Sequence, residues 1–176
     1  MEQWYVLSTE AGKEAEALEL LERVVSHKWW SQCRIPKKLK VFRSGGILHL
    51  VEDVMFSGYL FIQSAYAKEL ETELNKARKF PQFIGAGKKF ITPVEAADLR
   101  FLQDVCGENL KQVMGVTRII LNEENRIVRA EGVLNHYQDQ IVKLNLHKRF
   151  AVVEVELFNR RQEVLFGVSL EQDLAG

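Results

Sequence analysis

The hydrophobic pattern changes once along this chain, near residue 108, and that change limits the folds it can adopt. Before it, short β-branched or aromatic runs such as residues 4–8 alternate with amphipathic helical segments such as 13–25 and 66–77. After it, only short apolar runs remain, separated by turn-prone segments. The first pattern favours an antiparallel sheet flanked by helices, and the second favours a small β-barrel.

The sequence therefore predicts an α+β protein of two domains, which a length of 176 residues accommodates. The first would be an α/β sandwich over residues 1–107. Residues 108–122 have no strong helical stripe and are interpreted as a linker. Residues 123–176 would form the small all-β barrel.

Two local signals are specific within the first domain. Gly45-Gly46 predicts the turn of a strand pair that precedes a buried strand at 58–63. Thr92 could cap a third helix, with Pro93 in its first turn and Glu95 three residues after the cap. Gly107 would end that helix.

Composition excludes several classes of protein. Lys plus Arg and Asp plus Glu number 24 each, so the chain is not a polycation, and 47% apolar residues exclude wholesale disorder. Two distant cysteines do not make a secreted disulfide scaffold. No membrane span or signal peptide is visible. We therefore expect a cytoplasmic protein that does not associate with membranes.

The motifs that usually accompany catalysis are absent from the sequence. The glycine turn at 84–91 lacks the spacing of a phosphate-binding loop, and the four histidines and two cysteines share no metal-ligand spacing. We expect no enzyme activity, no catalytic residues, no metal and no cofactor, and interpret the chain as a binding protein.

The distribution of positive charge is more informative than its sum. Residues 28–51 contain six Lys or Arg and residues 75–94 contain five, with no acid in either range. Further polar and cationic residues cluster at two predicted turns of the barrel, where they would bind nucleic-acid phosphates. They are Lys143, His147, Lys148 and Arg149 at one turn and Asn159, Arg160, Arg161 and Gln162 at the next. We expect these two turns to form one cationic surface; a merely solvated surface is the alternative.

Two stretches of the chain carry a family resemblance. Residues 126–157 resemble a KOW motif, through Gly132, the segments 140–143 and 147–149 and the alternating strand that follows. They depart from the usual pattern at Val133, His136 and Asp139. Residues 4–7, 55–63 and 83–87 are similar to the N-terminal domain of the NusG family. The resemblance covers nearly the whole chain in the family's order.

The resemblance implies a transcription factor. Its first domain would bind the clamp helices of the largest subunit of RNA polymerase, near the β subunit, through Trp4, Phe56, Tyr59 and Phe83. The turn at 157–167 with its Arg160-Arg161 pair, the moderate length and the basic rim of the barrel are most similar to the specialised paralog LoaP, a processive antiterminator that recognises an RNA hairpin in leader transcripts. A housekeeping factor whose KOW domain binds Rho or a ribosomal protein, and a KOW-type RNA-binding protein of translation, are the alternatives. A monomer is expected.

Overall fold

The computed structural model describes residues 1–77, 83–84 and 90–175, with only the backbone described at 83, 84, 174 and 175. Contacts divide the chain into two compact units. The first contains Met1–Pro36 and Phe56–Arg100, and the second contains Lys37–Met55 and Phe101–Gly176. The predicted boundaries follow chain order, whereas the contacts group residues 37–55 with the C-terminal part of the chain.

The secondary structure follows the predicted alternation. Three helices are present in the described residues: α1 (Glu14–Val24), α2 (Ala67–Lys76) and α3 (Ala96–Cys106). The strands described are β1 (Gln3–Thr9), β2 (Gln32–Arg34), β3 (Lys37–Ser44), β4 (Ile47–Val54), β5 (Tyr59–Ser64), β6 (Phe83–Ile84), β7 (Ile91–Pro93), β8 (Thr117–Leu121), β9 (Ile127–Glu131), β10 (Ile141–Asn145), β11 (Phe150–Leu157) and β12 (Arg160–Leu170). Val133–Gln140 and Glu171–Ala175 form 3-10 helices. None of the helices in the described residues is long and apolar enough to cross a membrane.

The sheet of the first unit is antiparallel, with strand order β2-β5-β1-β6 and with β7 also paired to β1. Side chains alternate between the faces of a strand, so Tyr5 and Leu7 share one face of β1. Both belong to a buried core that includes Leu20 and Leu21 of α1 and Leu70 of α2. The two helices therefore cover the same face of the sheet.

The predicted start of the third helix is wrong. Residues 91–93 form β7, in which Pro93 lies opposite Tyr5, and α3 begins only at Ala96. Proline is tolerated there because an edge strand has no need of its missing N–H. The predicted end is confirmed: α3 ends at Cys106, and Gly107 follows with φ of 84°. This left-handed conformation favours glycine after a helix.

The second unit contains a five-stranded sheet of order β10-β11-β12-β8-β9. Its pairs are antiparallel except β12 and β8, which run parallel. The curled sheet confirms the predicted α+β class with a small β-barrel after the sandwich. Residues 117–121, predicted as part of the linker, form β8 and pair with both β12 and β9. Within β8 the buried Thr117 and Ile119 alternate with the half-buried Arg118 and Ile120.

Strands β3 and β4 form a hairpin that turns at Gly45-Gly46, as the sequence predicts. Its base is bonded to the segment before β8: the Leu39 N–H donates to the Met114 carbonyl at 2.8 Å, and the Met114 N–H donates to the Lys37 carbonyl at 2.9 Å. Gly167 of β12 lies beneath β3, and a Cβ atom there would stand 2.8 Å from the Leu39 carbonyl oxygen. Gly167 therefore permits the hairpin to pack on the barrel.

We expect Gly167→Ala to destabilise the protein by about 1–3 kcal/mol, because the added methyl group collides with backbone rather than with a movable side chain. Gly115→Ala is the matched control, since no atom lies within 4 Å of its added Cβ. Urea denaturation of both variants measures the difference. Equal stability of the two variants would contradict this packing of β3.

Candidate nucleic-acid interface

The two predicted cationic turns lie at opposite ends of β11. The first precedes Phe150, which pairs with Gly167, and the second follows Leu157, which pairs with Arg160. Eight strand residues at about 3.3 Å each place the two turns more than about 20 Å apart. The single cationic surface predicted from the sequence does not exist, because consecutive turns of an antiparallel sheet alternate between its ends.

Arg149 is buried and occupied by contacts within the chain. Its Nε and Nη2 donate to the two carboxylate oxygens of Asp173 at 2.9 and 2.8 Å, and its Nη1 donates to the Leu146 carbonyl. The hydrogen bond from the guanidinium holds the pKa of Asp173 below its ordinary value. Arg149 therefore shapes the turn and fixes the C-terminal 3-10 helix, which leaves it unsuited to bind a ligand.

The other members of the first cluster are accessible. Lys143, His147 and Lys148 are exposed, and the Lys148 backbone N–H donates to Asn145 Oδ1 at 2.8 Å. That bond orders the turn without using the Lys148 ammonium group. The turn presents an imidazole and an ammonium group beside the hairpin.

A cleft of about 540 Å³ lies between this turn and the hairpin, within the second unit. Cations and apolar side chains line it, together with one acid. The lining residues are Lys38, Leu39, Lys40, Val41, Phe42, Arg43, Leu48, Asp53, His147, Lys148, Arg149, Phe150, Leu165 and Gly167. The cleft thus brings part of the basic run at 28–51 together with the first barrel turn.

Lys38 is the most buried of the hairpin cations that line the cleft, with 8% of its surface exposed. Burial lowers the pKa of its amine, while the charge of Asp53, directly across the hairpin, opposes this shift. Phe42, on the same face of β3, is 48% exposed, and its ring centroid lies 6.1 Å from that of His49. The cleft therefore offers an amine, a carboxylate and an accessible ring.

The second cluster has a different environment. Asn159, Arg160 and Arg161 are exposed, whereas the half-buried Gln162 donates to the Leu157 carbonyl at 3.2 Å. Phe158 and Asn159 both have positive φ, as in the tight turns of β-hairpins. Arg161 Nε lies 3.4 Å from Glu154 Oε1. Its cross-strand partner is Glu156, so acids accompany the cations at this end.

Three of the four predicted polymerase-binding aromatics are described. Trp4 and Phe56 are buried, each with 6% exposed, and Tyr59 is half-buried. The side chain of Phe83 lies outside the described residues. The pairing of β1 with β5 places Trp4, Tyr59 and also Phe61 on the face opposite the helical core. The rings of Phe56 and Phe61 pack edge to face, with their centroids 6.2 Å apart.

The turn that carries Phe56 is tied to the start of α1. Glu14 Oε1 accepts hydrogen bonds from the backbone N–H groups of Gly58 at 2.9 Å and Gly12 at 3.2 Å. Burial disfavours the charged carboxylate, but these hydrogen bonds lower its pKa overall. Gly58 has φ of 84°, and a Cβ there would stand 2.8 Å from the Thr9 carbonyl oxygen. Both contacts fix the backbone between Phe56 and Tyr59.

The family model for NusG, the "Transcription termination factor nusG", matches residues 2–103. The chain belongs to the NusG family. The "Transcription termination/antitermination protein NusG" of Thermus thermophilus is 25% identical over 174 residues, covering 92% of this chain and 93% of that protein. This chain is accordingly a NusG-type transcription factor.

A solved structure of a NusG protein has the same fold. The structure titled "Domain interaction in Thermotoga maritima NusG" aligns with a TM-score of 0.51 and 19% identity, covering 95% of this chain and 94% of that one. Among the residues that the structure describes, no group of His, Cys, Asp and Glu side chains could hold a metal ion.

The sequence of this NusG-family chain did not predict that the hairpin lines one side of the cleft. The signal was present, since Lys38, Lys40 and Arg43 stand in an acid-free run. What the sequence did not provide was the partner of that run, because more than 100 residues separate Lys40 from His147.

For this NusG-family protein we expect Arg149→Ala to lower the free energy of unfolding by about 3 kcal/mol, because the Asp173 carboxylate loses its partner. The neighbouring Lys148→Ala should change it by less than about 0.5 kcal/mol, because that side chain is exposed. Denaturant titrations at pH 7 compare the two variants. Equal losses would contradict the assignment of Arg149 to the fold.

The same pair makes stability depend on pH in one direction. The pKa of Asp173 is lowered on folding, so its contribution is fully present above its ordinary value of 3.8 and is lost as pH falls through the lower folded value. Asp173→Asn should therefore flatten the stability curve in this acid range. Thermal melts between pH 2 and 7 measure it.

Proposed function

We propose that this protein is a processive antitermination and elongation factor of the LoaP type. Residues of its first unit bind RNA polymerase, and its second unit binds a hairpin in the nascent leader RNA. It acts as a cytoplasmic monomer without a cofactor, and it makes and breaks no bond. Its effect is to shift the polymerase toward a pause-resistant conformation, so the size of the effect depends on its preference for that state.

The cationic cleft of the second unit is the observation that carries the RNA part of this proposal. Lys40, Arg43, His147 and Lys148 line one cleft, with Asp53 as the acid among its lining residues. Because phosphates supply most of the affinity of proteins for nucleic acid, such a concentration of cations favours RNA. At the opposite end, Glu154 lies next to Arg161 and reduces the field that RNA would meet.

The aromatic residues of the first unit support the polymerase part. Rigid rings provide contact area at little entropic cost, and they dominate many protein interfaces. We assign Trp4, Phe56 and Tyr59, together with Phe83, to the contact with the clamp helices of the largest subunit near the β subunit. Tyr59 is the most exposed of the three described rings. Glu14 supports the contact indirectly by fixing the backbone at Gly58.

Tyr59→Ala tests the polymerase contact. We expect it to weaken binding to purified core polymerase about tenfold, as the loss of an interface aromatic commonly does. Tyr66→Ala is the matched control, because Tyr66 is an exposed ring outside the assigned set. Biolayer interferometry with immobilised polymerase gives both affinities. Undiminished binding of the Tyr59 variant, in a protein of normal stability, would contradict the assignment.

Lys148→Ala tests the RNA contact. If Lys148 binds one phosphate, the variant should reduce the slope of log affinity against log salt by about one on every structured RNA that binds. Arg161→Ala, at the far end of β11, should leave that slope unchanged. Gel shifts between 50 and 200 mM salt measure it. A reduced slope for Arg161→Ala alone would move the RNA to the other end.

A panel of leader hairpins then separates this function from its two alternatives. Polymerase binding with a sequence-dependent hairpin complex supports antitermination. Polymerase binding without preference among hairpins is the result expected of a housekeeping factor. RNA affinity without polymerase binding is the result expected of a protein of translation.

A further inference from the structure

The cleft beside the hairpin has features that phosphate binding does not require. Phosphate contacts need only cations at an accessible surface, yet this cleft has a volume of about 540 Å³ with Phe42, Phe150 and Leu165 in its lining. That volume lies within the range of clefts that hold small organic groups. Phe42 leaves about half of its surface open to solvent. An apolar cleft with an accessible ring and a cationic rim fits a flat, partly apolar group that is attached to an anion.

We propose that the cleft holds one unpaired nucleotide of the bound RNA, with its base against Phe42 and its phosphate beside Lys40, which lies on the same face of β3. This inference rests on the proposed function. An unpaired base presents its π-face to a protein, whereas a base inside an A-form stem is stacked on both sides and lies in a major groove too deep and narrow for side chains to read. Stacking on an aromatic ring is a common way in which proteins hold such bases.

The polar groups of the cleft suit the edge of a base. Lys38 and Asp53 are directly opposed across the hairpin, so the same place offers a hydrogen-bond donor and an acceptor. Base edges carry both kinds of group. The amine of Lys38 is largely shielded from water, where a hydrogen bond discriminates between ligands more strongly than at an open surface.

An acidic peptide is the other ligand that a cationic rim could attract. Asp53 makes that ligand less suitable, because its carboxylate would lie near any acidic side chain that entered the cleft. A bound nucleotide places its negative charge on the phosphate at the rim and leaves a neutral base inside. A cleft lined by several cations and by the Asp53 carboxylate therefore favours the nucleotide.

Two synthetic RNA stems test the inference. One is a blunt 12-base-pair duplex, and the other is the same duplex with one bulged 2-aminopurine. The full-length protein should bind the bulged stem about tenfold more tightly than the blunt one by fluorescence anisotropy, and the 2-aminopurine emission should change on binding as the base stacks. Phe42→Ala should remove both the preference and the emission change, whereas Phe42→Trp should retain them.

Control measurements separate the loss of base stacking from the loss of the fold and from the loss of a phosphate contact. Phe42 is half exposed, so its replacement is expected to leave the fold intact, and circular dichroism checks this. Tyr66→Ala, an exposed aromatic of the first unit, should keep the preference for the bulged stem. Lys148→Ala should weaken both stems by a similar factor, because phosphates are common to both.

Each remaining outcome contradicts either the nucleotide-binding cleft alone or the proposed function as well. Equal binding of the two stems by the native protein overturns the nucleotide cleft but leaves the proposed RNA binding in place. Failure to bind either stem or any leader hairpin overturns the proposed function and the inference together. Displacement of the bulged stem by a glutamate-rich decapeptide, with no effect of Phe42→Ala on RNA binding, assigns the cleft to an acidic peptide instead.

Discussion

The close approach of β3 to Gly167 is the contact on which the second unit's architecture depends. A side chain at this position would meet the Leu39 carbonyl, so only glycine lets the hairpin backbone lie directly on β12. The reciprocal bonds between Met114 and the hairpin at Lys37 and Leu39 then fix its position along the barrel. Because side chains alternate along β3, this register decides which cations and which rings reach the first turn. The cleft is a consequence of backbone packing.

The charges of this chain acquire meaning only through their positions. Equal numbers of acids and bases cancel over the whole molecule, yet the first turn and the hairpin gather cations beside a single lining acid. Arg149 stands in the middle of that region and contributes through structure, since its guanidinium is bound to Asp173 and to the Leu146 carbonyl. The ion pair holds the turn that presents His147 and Lys148. A cation in a binding motif can therefore support its neighbours without contacting a ligand.

Local patterns predicted the elements that local interactions determine. Helices α1 and α2 and the Gly45-Gly46 turn follow from apolar periodicity and glycine conformation, and all three are confirmed. The start of α3 failed because a plausible capping sequence at Thr92 competes with strand pairing to Tyr5, and the pairing prevails. Strand β8 was missed because its burial alternates over only five residues.

The sites were harder to predict than the elements. That the two barrel turns lie at opposite ends of the shared strand follows from antiparallel topology, and it could have been argued from the predicted strands alone. The cleft could not, because it requires knowing that a hairpin near residue 40 packs on a strand near residue 167. Neither segment has a sequence pattern that indicates contact with the other. Contacts over such a distance are set by packing in three dimensions.

The hairpin belongs by sequence to the region that the NusG family model matches and by packing to the second unit. A chain cut near residue 107 would therefore not yield two independent parts. The cut would separate the hairpin from Met114, to which the base of the hairpin is hydrogen-bonded. It would also remove Phe150 and Leu165 from the lining of the cleft. Leu39 and Val41, half-buried at present, would then lose part of their cover. Loss of the proposed RNA binding in such a fragment would reflect removal of half of the cleft as much as removal of the barrel's own cations. For this reason, single substitutions in the intact chain separate the contribution of the hairpin to the proposed RNA binding from that of the barrel more clearly than truncation does.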